Sequence, residues 1–154
     1  MLSASYFHVG VVVPALEDAL DRLSSVIGAR WGPVTESDLV AQDARGRRAT
    51  VPLRLVYSTT APYLELIEEA PGTVWVCNPY SNLHHIGFWA DGLPAAHDHL
   101  VASACPLELA GVGGAEADAA AAVPAMFTFH RDPLGVRFEL LDAAVRPMME
   151  GIWS

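Results

Sequence analysis

Apolar and polar positions along the chain alternate between two periods. Residues 6–13 (YFHVGVVV) form an almost unbroken run of β-branched and aromatic side chains that stops at Pro14, the pattern of a mostly buried strand. From 15 to 28 the period lengthens. Leu16, Ala19, Leu20, Leu23, Val26 and Ile27 recur at three- and four-residue steps, with Glu17, Asp18 and Asp21 on the other side and Gly28 as the stop, which predicts one amphipathic helix. Residues 30–34 predict a short strand. The polar stretch TESDLVAQDARGRRAT (35–50) predicts a mobile excursion, and 51–58 and 62–69 predict two further strands joined by the turn STTAP.

The same order then returns. Residues 84–90 predict a strand, and 93–104 a helix with Leu93, Ala96, Leu100, Val101 and Ala104 on one side. After a short PLELAG come two strands, 126–130 and 136–141. They flank RDPLG, where Asp132, Pro133 and Gly135 suit the first, second and fourth positions of a type I turn. The Gly- and Ala-rich residues 111–125 read either as a flexible loop or as a short helical turn.

The repetition extends to polar residues. SYFHVGVVVPAL (5–16) and SNLHHIGFWADGL (81–93) each place a histidine ahead of an aliphatic residue and a glycine. Glu65 follows His8 by 57 residues and Glu139 follows His85 by 54, so each half carries a histidine on its first strand and a glutamate on its last. Strand alternation puts His8 on a face with Gly10 and Val12, His85 with Gly87 and Trp89, Glu65 with Tyr63 and Ile67, and Glu139 with Arg137 and Leu141. Carboxylates in strands this apolar require partners, because an unpaired buried charge costs several kcal/mol or more.

Composition narrows the function. A chain of 154 residues, just over half of them apolar, suits a single domain over 1–154, with one module at about 5–70, a second at about 83–142 and a tail at 143–154. A formal charge of −9 and no basic stripe argue against nucleic acid as a partner. Cys77 and Cys105 stand in unrelated contexts and make neither a CxxC pair nor a disulfide framework, which fits a reducing cytoplasm. No apolar run reaches the ~18 residues of a membrane span, so no membrane is expected as a partner.

Four segments, FHVGVVVPALEDAL, YLELIEEA, LHHIGFWADGL and DPLGVRFELLD, resemble the signature segments of the vicinal oxygen chelate superfamily, which includes glyoxalase I, methylmalonyl-CoA epimerase, extradiol dioxygenases and bleomycin-resistance proteins. The resemblance runs from residue 6 to about 142 and lies closest to the epimerase-like and glyoxalase-like branch. It implies an α+β fold of two βαβββ modules that make a half-open barrel around one divalent metal. The implied ligands are His8, Glu65, His85 and Glu139. Methylmalonyl-CoA epimerases also use an acid from the region after the first helix, where Glu36, Asp38 and Asp43 are the candidates here. Modules of this family pair within or between chains, so a homodimer is among the expectations.

Two imidazoles and two carboxylates suit borderline and harder ions such as Zn, Co, Ni, Mn or Fe(II), and they leave room for substrate oxygens. Such an ion is a Lewis acid, and Glu65 or Glu139 could move a proton beside a carbonyl, which is the chemistry of an isomerase, epimerase or lyase working through an enolate on a small oxygenated substrate. Second comes a barrel that sequesters a hydrophobic molecule without chemistry. A non-heme iron dioxygenase is third, since it needs only two histidines and one glutamate. Tyr63, Trp89, Phe88 and Arg137 are candidate pocket residues or ordinary strand packing. His84, on the opposite face from His85, is an alternative ligand or suits a supporting or solvent-facing role; His97 and His99 read as helix-surface or packing residues, and His130 as a surface residue. Arg45, Arg47 and Arg48 could meet an anionic substrate tail or form a solvated hairpin tip. Met148, Met149, Ile152 and Trp153 form an apolar set able to cover the barrel or a partner chain.

Overall fold

The computed structural model describes residues 2–112 and 126–153, apart from the side chains of Ile152 and Trp153. The Gly- and Ala-rich stretch therefore lies almost wholly outside the described residues. In chain order the elements are β1 (Ala4–Val13), α1 (Leu16–Ile27), β2 (Thr35–Asp43), β3 (Arg48–Tyr57), β4 (Tyr63–Glu68), β5 (Leu83–Ala90), α2 (Leu93–Ala102), β6 (Leu107–Val112), β7 (Phe127–Arg131), β8 (Arg137–Asp142) and, after a 3-10 turn at Ala143–Val145, α3 (Arg146–Trp153). The order βαβββ is thus used twice, as expected. The sheet closes completely in the order β1-β4-β3-β2-β6-β7-β8-β5 rather than remaining half open, because β2 and β6 pair from Val40–Val112 to Asp43–Leu109.

Two other expectations change. The polar stretch 35–50 is not a mobile excursion but forms β2 and the start of β3, a hairpin paired from Thr35–Leu55 to Gln42–Arg48. Every second residue suffices to cover an interior: Leu39, Ala41, Val51 and Leu53 are buried, while Asp38, Thr50 and Pro52 face water. Its tip is fixed by the Asp43 carboxylate, which accepts from the backbone N–H of Arg45 and Arg47, so this basic cluster is an exposed hairpin tip. The strand expected at 30–34 reduces to one bridge between Trp31 and Ser58.

The helices cover the outside of the barrel with the faces their periodicity marks. In α1, Leu16, Ala19, Leu20 and Leu23 pack on Val13, Val56 and Leu66, and Gly28 ends the helix at φ 69°. Its first N–H is held by Glu68, which also pairs with Arg54 and so ties the helix to β3 and β4. In α2, Leu93, Ala96 and Leu100 pack on Leu140 of β8. This layer also buries His130 completely, against the surface role expected for it, since the outer face of β7 lies under α2 and its ring takes the Cys105 carbonyl and Thr128 as partners. The turn between β7 and β8 forms as expected, with Gly135 N–H donating to the Asp132 carbonyl and Gly135 at φ 89°. Among the described residues no helix is long and apolar enough to cross a membrane.

Candidate metal centre

The site follows from two strand pairings. The first strands of the modules, β1 and β5, run antiparallel with His8 opposite Gly87 and Gly10 opposite His85. Within each module the first and last strands run parallel, placing Gly10 beside Glu65 and Gly87 beside Glu139. Each histidine therefore lies over the other module's glycine, with a glutamate alongside. No larger residue fits there, because a Cβ on Gly10 or Gly87 would run into the imidazole of His85 or His8. The repeated His-x-Gly is a mutual cradle, and it explains why the chain says the same thing twice.

All four polar side chains point into the barrel and are nearly inaccessible to solvent. The two Nε2 atoms lie 2.8 Å apart. His8 Nε2 is 3.4 Å from Glu65 Oε2 and 3.2 Å from Glu139 Oε2; His85 Nε2 is 3.2 Å and 3.3 Å from the same atoms. Donors sharing one ion at about 2.1 Å would be about 3.0 Å apart at right angles and about 3.4 Å apart in a tetrahedron, so these separations fit a common divalent ion. A second observation agrees: Glu139 Oε2 is buried without a hydrogen-bond partner. Among the described residues this is the group of histidine, cysteine and acidic side chains able to hold an ion.

The family follows from sequence as well as from fold. The model of the Glyoxalase/Bleomycin resistance protein/Dioxygenase superfamily matches residues 7–123. The chain belongs to that superfamily. Its fold is similar to that of a methylmalonyl-CoA epimerase variant from Streptomyces coelicolor in complex with 2-nitronate-propionyl-CoA, at TM-score 0.61 and 15% identity over 94% of this chain and 99% of that one. The methylmalonyl-CoA epimerase of Mycobacterium tuberculosis gives TM-score 0.58 and 17% identity, covering 94% and 91% of the two chains. A hypothetical protein from Bacillus halodurans gives 0.56 and 15%, covering 91% and 94%. No curated protein matches the sequence.

Electrostatics in this superfamily member are set by burial and by the opposed charges. Burial works against protonating His85, yet Glu139 and Glu65 outweigh it and raise its pKa to about 9; His8 is raised by the same balance. Burial opposes ionisation of Glu65 and Glu139, and the two imidazoles nevertheless hold both below the ordinary carboxylate range. The four groups share protons that a cation would displace.

His84, which is partly buried behind the site, completes it. Its Nε2 lies 2.9 Å from the Val74 carbonyl, so that nitrogen must carry the proton and donate. Its Nδ1 is then the acceptor, 2.9 Å from His85 Nδ1. Burial, followed by the charges of Arg137 and His85, depresses the His84 pKa to about 3 and keeps the ring neutral. This chain of bonds holds a proton on His85 Nδ1 and leaves Nε2, directed at the cluster, as the nitrogen a cation would take.

An apolar cavity of about 230 Å³ opens onto the two glutamates. Its floor is Leu39, Leu53, Ile67, Trp75 and Phe129, and its rim includes Thr35, Ser37, Met126 and Met148. The apolar tail expected to act as a cover does reach it, since α3 brings Met148 and Met149 to its edge. Tyr63 and Trp89 instead pack around Phe7, which a bulge in β1 turns inward beside His8. Arg137 is buried in an ion pair with Glu108, which also holds Arg131. None of the acids after the first helix lines the cavity: Glu36 pairs with Arg54, Asp38 is exposed and Asp43 braces its own turn. Sequence reasoning missed Tyr57, which lines the cavity beside Glu65. Its signal was available in the β3 alternation Leu53, Leu55, Tyr57, but register with Glu65 exists only once β3 and β4 pair.

Proposed function

We propose that the protein is a metal-dependent isomerase, epimerase or lyase acting on a small carbonyl compound. The observation that carries this reading is the convergence of His8, Glu65, His85 and Glu139, two from each module, on one point at the wall of a cavity. These four would hold one divalent ion, with Zn, Co, Ni, Mn and Fe(II) all compatible with the donor set. The ion would supply Lewis acidity, drawing charge from a carbonyl oxygen and acidifying the adjacent C–H.

The remaining steps belong to the chain. Glu139, which lines the cavity and whose Oε2 lies 3.2 and 3.3 Å from the two imidazole Nε2 atoms, serves as the base that takes the proton, with Glu65 beside it as the alternative. Leu39, Leu53 and Phe129 keep bulk water from the reacting carbon. A barrel that only sequesters an apolar molecule is the second reading, favoured by the same apolar lining.

Elemental analysis of protein purified without chelators, beside the His85→Ala, Glu139→Ala double variant, tests the centre. About one equivalent of a divalent transition metal in the native protein alone is expected. Glu139→Gln should also abolish exchange of the carbon-bound proton of a small hydroxy ketone with solvent deuterium. Metal-free native protein that stays metal-free on reloading would overturn the enzyme reading in favour of sequestration.

A further inference from the structure

The cavity also limits what can be a substrate. An engineered apolar cavity of about 150 Å³ accepts benzene, so a space of about 230 Å³ holds on the order of ten non-hydrogen atoms. Apart from Glu65, Glu139 and the hydroxyls of Tyr57, Thr35 and Ser37, the lining is aliphatic, aromatic or methionine. The polar groups of a ligand would therefore be gathered at the glutamate wall while its remainder meets Leu39, Leu53 and Phe129.

Among the described residues no cationic side chain lines the cavity or its rim. All nine basic residues of the chain are arginines, and residues 113–125 contain none of them. Arg54 is held by Glu17, Glu36 and Glu68, Arg131 and Arg137 by Glu108, Arg47 by Asp43 and Arg146 by Glu150. A phosphate or free carboxylate carried beyond the oxygen pair would lose its water against this apolar lining and, among the described residues, meet no cationic side chain, within a chain of net charge −9.

We infer that the substrate is an uncharged, largely apolar compound of about ten non-hydrogen atoms with two adjacent oxygens, such as an aryl or branched-alkyl hydroxy ketone, and that the cavity rejects substrates carried on a phosphate or coenzyme A handle. The inference rests on the metal-centre reading for the role of the oxygen pair, and on the cavity alone for the apolar remainder.

Calorimetric titration of the zinc-loaded protein separates the two. The probes are 2-hydroxyacetophenone, acetophenone, which lacks the second oxygen, and dihydroxyacetone phosphate, a hydroxy ketone of similar size bearing an anion. We expect 2-hydroxyacetophenone to bind at least tenfold tighter than either, and to lose at least tenfold on removal of zinc. Equal or tighter binding of the phosphate, or no binding of 2-hydroxyacetophenone at millimolar concentration, would overturn the substrate class. Preference for both aryl ketones over the phosphate, unchanged by zinc removal, would uphold the cavity's selectivity and overturn the metal-centre reading on which the oxygen pair depends.

Discussion

Replacing Gly10 with alanine adds one methyl group on the barrel wall, far smaller than any ligand deletion, yet it falls at the seat of His85. An alanine Cβ there would stand 2.6 Å from His85 Nε2 and closer still to Cε1, against an ordinary contact that begins at 3.4 Å. The ring must withdraw by at least about 0.8 Å, several times the ~0.2 Å tolerance of a metal–ligand distance. Its escape is blocked on the far side by His84 and Phe129, which lie against it. Metal affinity should fall at least 10- to 100-fold, as it does when the groups that orient a ligand are lost, and the overpacked barrel should lose about 1–3 kcal/mol. Competition against a chromophoric chelator measures the first effect and urea denaturation of the metal-free protein the second. Gly87→Ala should mirror the result through His8. Gly151→Ala, where none of the described side chains lies within 4 Å of the added methyl, should leave metal affinity unchanged. Wild-type affinity in Gly10→Ala would refute the cradle.

Three further outcomes follow from the geometry. Because the His85 pKa rises from 6.5 to about 9 on folding, its contribution of about 3 kcal/mol to the metal-free protein is complete below pH 6.5 and is lost as pH climbs through 9. Melting temperatures of metal-free protein should therefore fall between pH 6.5 and 9.5, while the zinc-loaded protein, whose ligands must be deprotonated, holds or gains; a flat metal-free profile would contradict this balance. His84→Ala removes the acceptor that fixes the His85 tautomer and should weaken zinc binding 10- to 100-fold in chelator competition, with unchanged affinity counting against the relay. Arg137→Met leaves the Glu108 carboxylate to Arg131 alone and should lower stability by about 2 kcal/mol, read as a shift in the urea midpoint at constant slope; no shift would mean that the pair contributes nothing net.

Much of this protein is written in local pattern. The strand–helix alternation, the α1 stop at Gly28, the turn at Asp132–Gly135 and the repeated His-x-Gly with its later glutamate are all legible, because periods of 2 and 3.6 and turn chemistry are properties of adjacent residues. The stretch 35–50 failed by the same measure. Leu39 and Ala41 among polar neighbours form a thin signal, and only pairing with β3 and β6 makes them an interior face. Tertiary structure alone decided that each histidine rests on the other module's glycine, that Tyr57 meets Glu65, and that the space beside the glutamates is apolar and, among the described residues, without a cationic side chain. These depend on which strands become neighbours and in what register, and on a barrel that closes between residues far apart in the chain. A sequence names the groups that must find partners when they are buried; the partner itself is fixed only when distant strands meet.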